Sequence, residues 1–372
     1  MIKSELMETV EAVHRIGSKR EAARVLGIPR STLQDRYNKA VSLGYHVSEG
    51  IQQSVNSSKL GFNEAKAGWI VDVDKETGSR RSTYWKAPEI AQESLIDAIK
   101  TAFEGITPAQ PIPAPLYADS DLLTIYPIPD AHVAQLSDED ETGEEYNTLI
   151  AVNRIKSWVG QLVKASPASG TAIILGVGDL THGNDQTNQT PQSKHQLDVA
   201  TRHFRTLNMT IEAMATAVEL AAAKHDLVIV RILPGNHDRD AYMAVMFALS
   251  ERYRDNERIN VHRVPGEFFA HEFGKVMIVS HHGDKSRADR MVMYMADTYP
   301  ELWGRTKYRF LFTGHLHHAK MQDIGGVQFE QLRAVTAKDA YAASHAFSAR
   351  AQLQAITMHR ERGEVSRVKI NA

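Results

Sequence analysis

Residues 227–238 read Leu-Val-Ile-Val-Arg-Ile-Leu-Pro-Gly-Asn-His-Asp. An apolar run rich in β-branched residues and closed by Pro-Gly predicts a strand covered on both faces. Directly after its turn stand Asn236, His237 and Asp238, three side chains able to bind metal or move protons. The same pattern recurs on both sides of this stretch. LLTIYPIP precedes Asp130-Ala-His132, and TAIILGVG precedes Asp179-Leu-Thr-His182-Gly-Asn184-Asp185. Further on, VMIVS precedes His281-His282-Gly283, and YRFLFTG precedes His315-Leu-His317. Between these strands, residues 144–165, 193–224 and 239–254 are predicted as helices, and HAKMQDI and VQFEQLR as late strands. Strands alternating with helices imply an α/β fold, and the late hairpins imply a second, mixed sheet. Loops at the carboxyl ends of strands are where open α/β sheets collect ligands.

Hard oxygen donors, imidazoles and one spare histidine are the parts of a two-metal hydrolase. The chain contains no cysteine, which excludes disulfides, thiolate metal sites and a cysteine nucleophile. Imidazole ligands favour a transition ion, with manganese first and iron or zinc as alternatives.

The set Asp-x-His, Gly-Asp, Gly-Asn-His-Asp, His-Gly and Gly-His-x-His, over about residues 121–335, resembles the calcineurin-like metallophosphoesterase superfamily. The resemblance implies a four-layer α-β-β-α sandwich holding two divalent metal ions. By position, Asp130, His132 and His317 would hold the first ion, Asn236, His282 and His315 the second, and Asp179 would bridge them. His237 would be the catalytic histidine, with Asp238 orienting it. His282 is chosen over His281 because the family ligand immediately precedes the glycine, and His317 over His318 because the family spacing is His-x-His. His14, His46, His225, His262, His345 and His359 are read as ordinary surface or core residues. The protein-phosphatase branch carries an arginine after its Gly-Asp motif; the segment Gly-Asp179-Leu-Thr-His182-Gly has none, which disfavours phosphoprotein substrates. His182-Gly-Asn184-Asp185 and the polar run after it look like phage-type members fused to a DNA-binding head. His182 and Arg202 are candidate substrate contacts, the latter on one helical face with His195 and Asp198.

Residues 1–48 are predicted as three short helices. Ala23, Gly27 and Leu33 have the spacing of a helix-turn-helix, and the third helix would present Arg30, Thr32, Gln34, Arg36 and Lys39 to DNA. The unit is only mildly basic, with eight Lys/Arg against five Asp/Glu, and Asp35 would repel phosphate. Residues 49–105 are expected to hold a polar linker, a small β-hairpin and a helix; 106–116 is a proline-rich linker, and 117–372 the metallophosphoesterase domain. On the hairpin, Lys66, Lys75, Arg80, Arg81 and Lys86 interleave with Trp69, Tyr84 and Trp85, a pattern able to grip a nucleic-acid strand, though such aromatics more often form the core of a tiny sheet.

The 372 residues are 42% hydrophobic and 24% charged, the balance of a globular protein with a sizeable core. A net charge of −2 excludes a polycation, so any nucleic-acid surface must be local. No run approaches the roughly 20 apolar residues of a membrane span, and MIKSELMETVEAVHRIG lacks the apolar core of a secretory signal. A cytoplasmic protein is expected. The leading expectation is a dinuclear phosphodiesterase or nuclease hydrolysing DNA by metal-activated hydroxide. The alternatives are a phosphomonoesterase or cyclic phosphodiesterase for small molecules with a regulatory head, and a DNA-binding regulator with a vestigial esterase site.

Overall fold

The computed structural model describes residues 3–16, 18–42, 67–73, 80–86, 109–110, 112–346 and 348–372. The expected linker 49–60, the hairpin turn 75–78 and the helix over 88–104 lie outside the described residues. The chain divides into two units, Met1–Lys100 and Thr101–Ala372.

In the first unit, α1 (Lys3–Ile16), α2 (Lys19–Val25) and α3 (Arg30–Ser42) pack on a small core of Ala12, Ala22, Ala23 and Leu33. Ser18 caps α2 by accepting from the Glu21 amide. Gly27 sits between α2 and α3 at φ 64, a left-handed conformation that glycine adopts without penalty. Strands β1 (Ala67–Val73) and β2 (Arg80–Lys86) pair antiparallel, as the sequence predicts.

The second unit is built on two sheets. The first contains β3 (Asp119–Ile128), β4 (Ser169–Gly176), β5 (Leu227–Ile232), β6 (Ile259–Val261), β12 (Gln352–His359) and β13 (Gly363–Asn371), in the order β13-β12-β3-β4-β5-β6. The second contains β7 (Phe269–Phe273), β8 (Val276–Ser280), β9 (Tyr308–Thr313), β10 (Lys320–Ile324) and β11 (Val327–Gln331), in the order β10-β11-β9-β8-β7. Strands β3 to β6 run parallel, and so do β8, β9 and β11.

Alternation along each strand sorts the apolar side chains into three layers of core. Leu123, Ile125, Ile173, Leu175 and Ile229 of the first sheet meet Val276, Ile278, Phe310 and Phe312 of the second. After the short helix α4 (Glu139–Thr142), α5 (Thr148–Ala165), α6 (His203–Ala222) and α7 (Ala241–Arg252) pack against Tyr126, Ile174 and Val230 on the other face of the first sheet. On the other face of the second, Met277, Val279 and Leu311 meet α8 (Ala288–Thr298) and α9 (Pro300–Arg305). The layers are therefore helix, sheet, sheet, helix, the α-β-β-α arrangement expected. The central strands of both sheets are covered on both sides, which explains why β5 and β8 are nearly continuous apolar runs, while the edge strands β10 and β13 are more exposed and more polar.

Three features depart from the sequence reading. The helix expected over 193–224 begins only at His203. Residues 188–200 instead form a small antiparallel excursion, with Gln189 bridged to Gln196 and Val199 to Gln135. The chain also returns to the first sheet at its end, where β12 pairs antiparallel with β3, a strand pair the local pattern did not foretell. Finally, part of the proline-rich segment is pinned rather than free: Arg258 donates to the carbonyls of Ile112 and Pro113, and the Ala109 amide donates to Arg252. Among the described residues, no helix is long and apolar enough to cross a membrane.

Candidate metal centre

Each of the five motifs stands just beyond the carboxyl end of a strand: β3, β4, β5, β8 and β9. The pairing of β3 with β4 continues past the strands into the motif loops. The amides of Asp130, His132 and Val133 donate to the carbonyls of Gly178, Asp179 and Leu180, and the His182 amide donates back to Val133. This short ladder fixes His132 beside Asp179. The His315 amide donates to both carboxylate oxygens of Asp130 at 3.0 Å, which brings the second sheet to the first.

The backbone is strained here. Asp130, His132, Asp179, His315 and His317 all have positive φ, between 40 and 73°. The left-handed region costs a non-glycine residue about 1–2 kcal/mol, and such strain gathers where a site dictates side-chain direction.

Among the described residues three groups of donors result, two of which include a carboxylate. One ligand atom each from Asp130, His132 and His317 lies within 4.8 Å of the others, and the same holds for Asp179, His282 and His315, and for His132, His182 and His237. Asp179 joins the two carboxylate groups. Its Oδ2 is 3.1 Å from His282 Nε2 and 3.8 Å from His132 Nε2. Across the first group, His132 Nε2 is 3.3 Å from His317 Nε2, and His317 Nε2 is 3.5 Å from Asp130 Oδ1. Across the second, Asn236 Oδ1 is 3.1 Å from His282 Nε2. Donors held about 2.0–2.2 Å from one ion sit roughly 3–4 Å apart, so both groups fit a divalent cation. His281 and His318 turn elsewhere. His281 Nδ1 accepts from the Gly283 amide and its ring packs on Phe268, while His318 Nδ1 lies 2.9 Å from the Leu316 carbonyl.

Protonation follows burial and charge. Burial pulls His132 and His315 well below and below the usual imidazole range, which keeps them neutral and ready to ligate. Burial would raise Asp179, but His282 and the neighbouring histidines outweigh it and hold the carboxylate well below its usual range. His282 is the counterpart. Burial opposes its charge, yet Asp179, then Asp130 and the Val177 carbonyl, push it up to about 10. In the metal-free protein His282 therefore carries a proton at neutral pH, and that proton must leave before Nε2 can bind a cation. Apparent metal affinity should rise about tenfold per pH unit between pH 7 and 9 if one proton is exchanged. Calorimetric titration across that range checks this, and a flat profile would contradict the assignment.

Close-approach glycines hold the centre together. A Cβ on Gly235 would stand 2.0 Å from Asp179 Oδ1, and one on Gly314 would stand 2.4 Å from Asp130 Oδ2. Gly235→Ala should displace the shared carboxylate. The expected result is a folded protein with roughly 10–100-fold weaker metal binding, read by metal content after dialysis.

His237 lies over this centre. Its Nδ1 is 2.8 Å from the His182 carbonyl, and its ring stands edge-on to His132 at 4.6 Å between centroids. Its amide donates to Asp179 Oδ1 at 2.8 Å. Three sequence-based roles are corrected by these contacts. Asp238 does not orient His237: its buried carboxylate accepts from the amides of Gly235, Asp179, Leu180 and Thr181 and so binds two motif loops together. Burial and the Asp179 charge push its carboxyl up to about 6, which leaves it ionised at neutral pH for these donors. His182 is not open to substrate. Its ring is 3% exposed and its Nδ1 faces His132 Nδ1 at 3.1 Å. Burial lowers it to about 3. Arg202 is not on a helical face with His195 and Asp198, because those residues precede the helix. It is exposed at the N-cap of α6.

One group was missed. Arg239 pairs with Asp284 at 2.5 Å and with Glu267 at 3.5 Å, and Lys285 pairs with Glu267. Arg239 and Asp284 each stand two residues beyond a motif histidine, His237 and His282, and that repeated offset was the available signal. In the first unit, Arg30 and Lys39 are exposed on α3 and Thr32 is half-buried. Arg36 pairs with Glu5 at 3.4 Å, and Gln34 bonds Asn38 and Lys19.

No family model matches the sequence, and no curated protein does. Solved structures do match. An archaeal phosphodiesterase is 12% identical, with 67% of this chain and 99% of that one covered and a TM-score of 0.34. A predicted phosphoesterase from Streptococcus pneumoniae is 11% identical, covering 68% and 98%, with a TM-score of 0.29. Vps29 from Entamoeba histolytica, in complex with zinc, is 12% identical, covering 67% and 98%, with a TM-score of 0.28. At such identities and scores these likenesses carry no argument about function, and the side chains of the centre must supply it.

Proposed function

We propose that this protein is a dinuclear metal-dependent phosphoesterase, and specifically a phosphodiesterase that cleaves DNA. The observation that carries the reading is the position of Asp179 Oδ2, within 3.1 and 3.8 Å of imidazoles from two separate donor groups. A carboxylate so placed would be able to hold two cations at once. Two divalent ions, when bound, would polarise a phosphoryl group and make water a better nucleophile at neutral pH.

The protein's own residues supply the rest. Asp130 and Asp179 bring two negative charges against about four positive ones from the ions, leaving a net attraction for a phosphate anion. Asn236 adds an oxygen donor without adding charge. With the Nδ1–H of His237 donated to the His182 carbonyl, Nε2 bears a proton in the imidazolium form, and in that form it is the atom able to deliver a proton to the leaving oxygen or to hydrogen-bond the phosphoryl group. Manganese is the proposed ion, with iron or zinc as alternatives.

The three helices of the first unit support DNA as substrate. Arg30 and Lys39 stand exposed on α3, the helix that would enter the groove. A tether of this kind raises local substrate concentration without altering the chemistry. Gln34 and Arg36 would first have to leave their partners Asn38 and Glu5.

The test compares single-stranded DNA, duplex DNA and a chromogenic phosphodiester, each with manganese and with chelator. Metal-dependent cleavage of DNA is expected. Turnover of the small ester alone would instead indicate a small-molecule esterase with a regulatory head, and DNA binding without any turnover a regulator. Deleting residues 1–100 should spare the small diester and weaken DNA affinity at least tenfold, a loss of about 1.4 kcal/mol. Undiminished affinity would remove the tether from the proposal.

A further inference from the structure

His182 touches both halves of the candidate chemistry, with its side chain on one and its main chain on the other. Its ring faces that of His132 edge-on, with the two Nδ1 atoms 3.1 Å apart. The opposite nitrogen of His132, Nε2, is turned toward Asp179 and His317. A neutral imidazole has one N–H and one lone pair. Two lone pairs, or two N–H groups, facing each other at this distance would repel, so one Nδ1 donates and the other accepts. If the Nε2 lone pair of His132 goes to a cation, its hydrogen must sit on Nδ1. His182 is then the acceptor, with its own hydrogen on Nε2.

We propose that His182 is a positioning residue that fixes His132 as the Nδ1–H tautomer and so keeps Nε2 of His132 available as a metal ligand. The inference rests on the two-ion reading above. Ligating histidines are usually held in this way by a carboxylate, a backbone carbonyl or water. Here a second imidazole does it, and being neutral it adds no negative charge beside the phosphate site. The burial of the His182 ring, with 3% exposed, leaves water little room to replace it. The backbone carbonyl of His182 accepts from His237, a contact that any side-chain replacement leaves in place. The two roles are therefore separable by mutation.

Asparagine places its amide oxygen where the histidine Nδ1 stands, whereas glutamine carries it one methylene farther. His182→Asn should bind manganese within about threefold of wild type, and His182→Gln about 10–100-fold more weakly, both measured by the free-ion electron paramagnetic resonance signal. Thermal melting of each variant establishes that it is folded. Glutamine binding as tightly as wild type, or folded asparagine binding as poorly as glutamine, would overturn the inference while leaving the two-ion reading intact. Nitrogen-15 spectra of the zinc-loaded wild type test it without any mutation. A proton on His132 Nδ1 is expected, and a proton on Nε2 would end the proposal. Wild type that binds no paired ions would instead bring down the two-ion reading first, and this inference with it.

Discussion

Replacing His237 with alanine is expected to lower phosphodiester turnover by about 10²–10⁴-fold, the contribution of a well-placed general acid, while both metal equivalents stay bound. That loss corresponds to roughly 3–5 kcal/mol of barrier. The separation of effects comes from the geometry. The His237 link to the centre is its backbone amide, which donates to Asp179 Oδ1 and persists in alanine. What disappears is a ring oriented by the His182 carbonyl and standing edge-on to His132. The Michaelis constant should change much less than kcat, because an interaction made chiefly in the transition state is being removed. Metal analysis beside steady-state kinetics decides the point. Unchanged turnover would refute the role given to His237, and lost metal would make it a structural residue.

Asp179→Asn is expected to have the largest effect on metal binding, exceeding the 10–100-fold typical of supporting partners. The amide retains one oxygen to accept from His237 but puts an NH₂ group, or an uncharged oxygen, where Oδ2 served both donor groups. Both ions should be lost together, because Asp179 Oδ2 is the oxygen that approaches imidazoles of both sets. Two fully loaded ions in this variant would contradict the bridging assignment.

The same variant has a signature in metal-free protein. His282 is raised to about 10 by Asp179 against the cost of burial. A raised folded-state pKa stabilises the fold fully below the unfolded value of about 6.5, and that contribution is lost as pH rises toward 10. Wild-type protein in chelator should therefore lose stability between pH 7 and 10, whereas Asp179→Asn should be nearly flat there. Denaturant unfolding at several pH values reads the difference.

How far these conclusions were legible in the sequence varies by residue. The strands before Asp130, Asp179, Asn236, His282 and His315 were visible because an apolar run ended by a turn is a local signal. The gathering of their donors was expected only from the order and type of the motifs. Where the reading failed, the deciding contact was remote. The run after His182 has helical charge spacing, but its backbone bonds were claimed by Gln135 and by its own hairpin, so α6 starts at His203. Asp238 follows His237 in sequence, yet four amides from two loops compete for its carboxylate and win.

The amino-acid sequence by itself determined the alternation of strand and helix, the loops that carry chemistry, and the donor types that suit divalent cations, since each depends on neighbours within a few residues. The tertiary structure alone decided which nitrogen of each histidine faces the centre, that β12 closes the first sheet beside β3, and that His182 supports His132 instead of meeting substrate. Those outcomes depend on the register of two stacked parallel sheets and on hydrogen bonds spanning 50 or more positions, such as His132 to His182 and His132 to His317. A periodic pattern encodes which face a side chain takes, but not which partner waits across the layer.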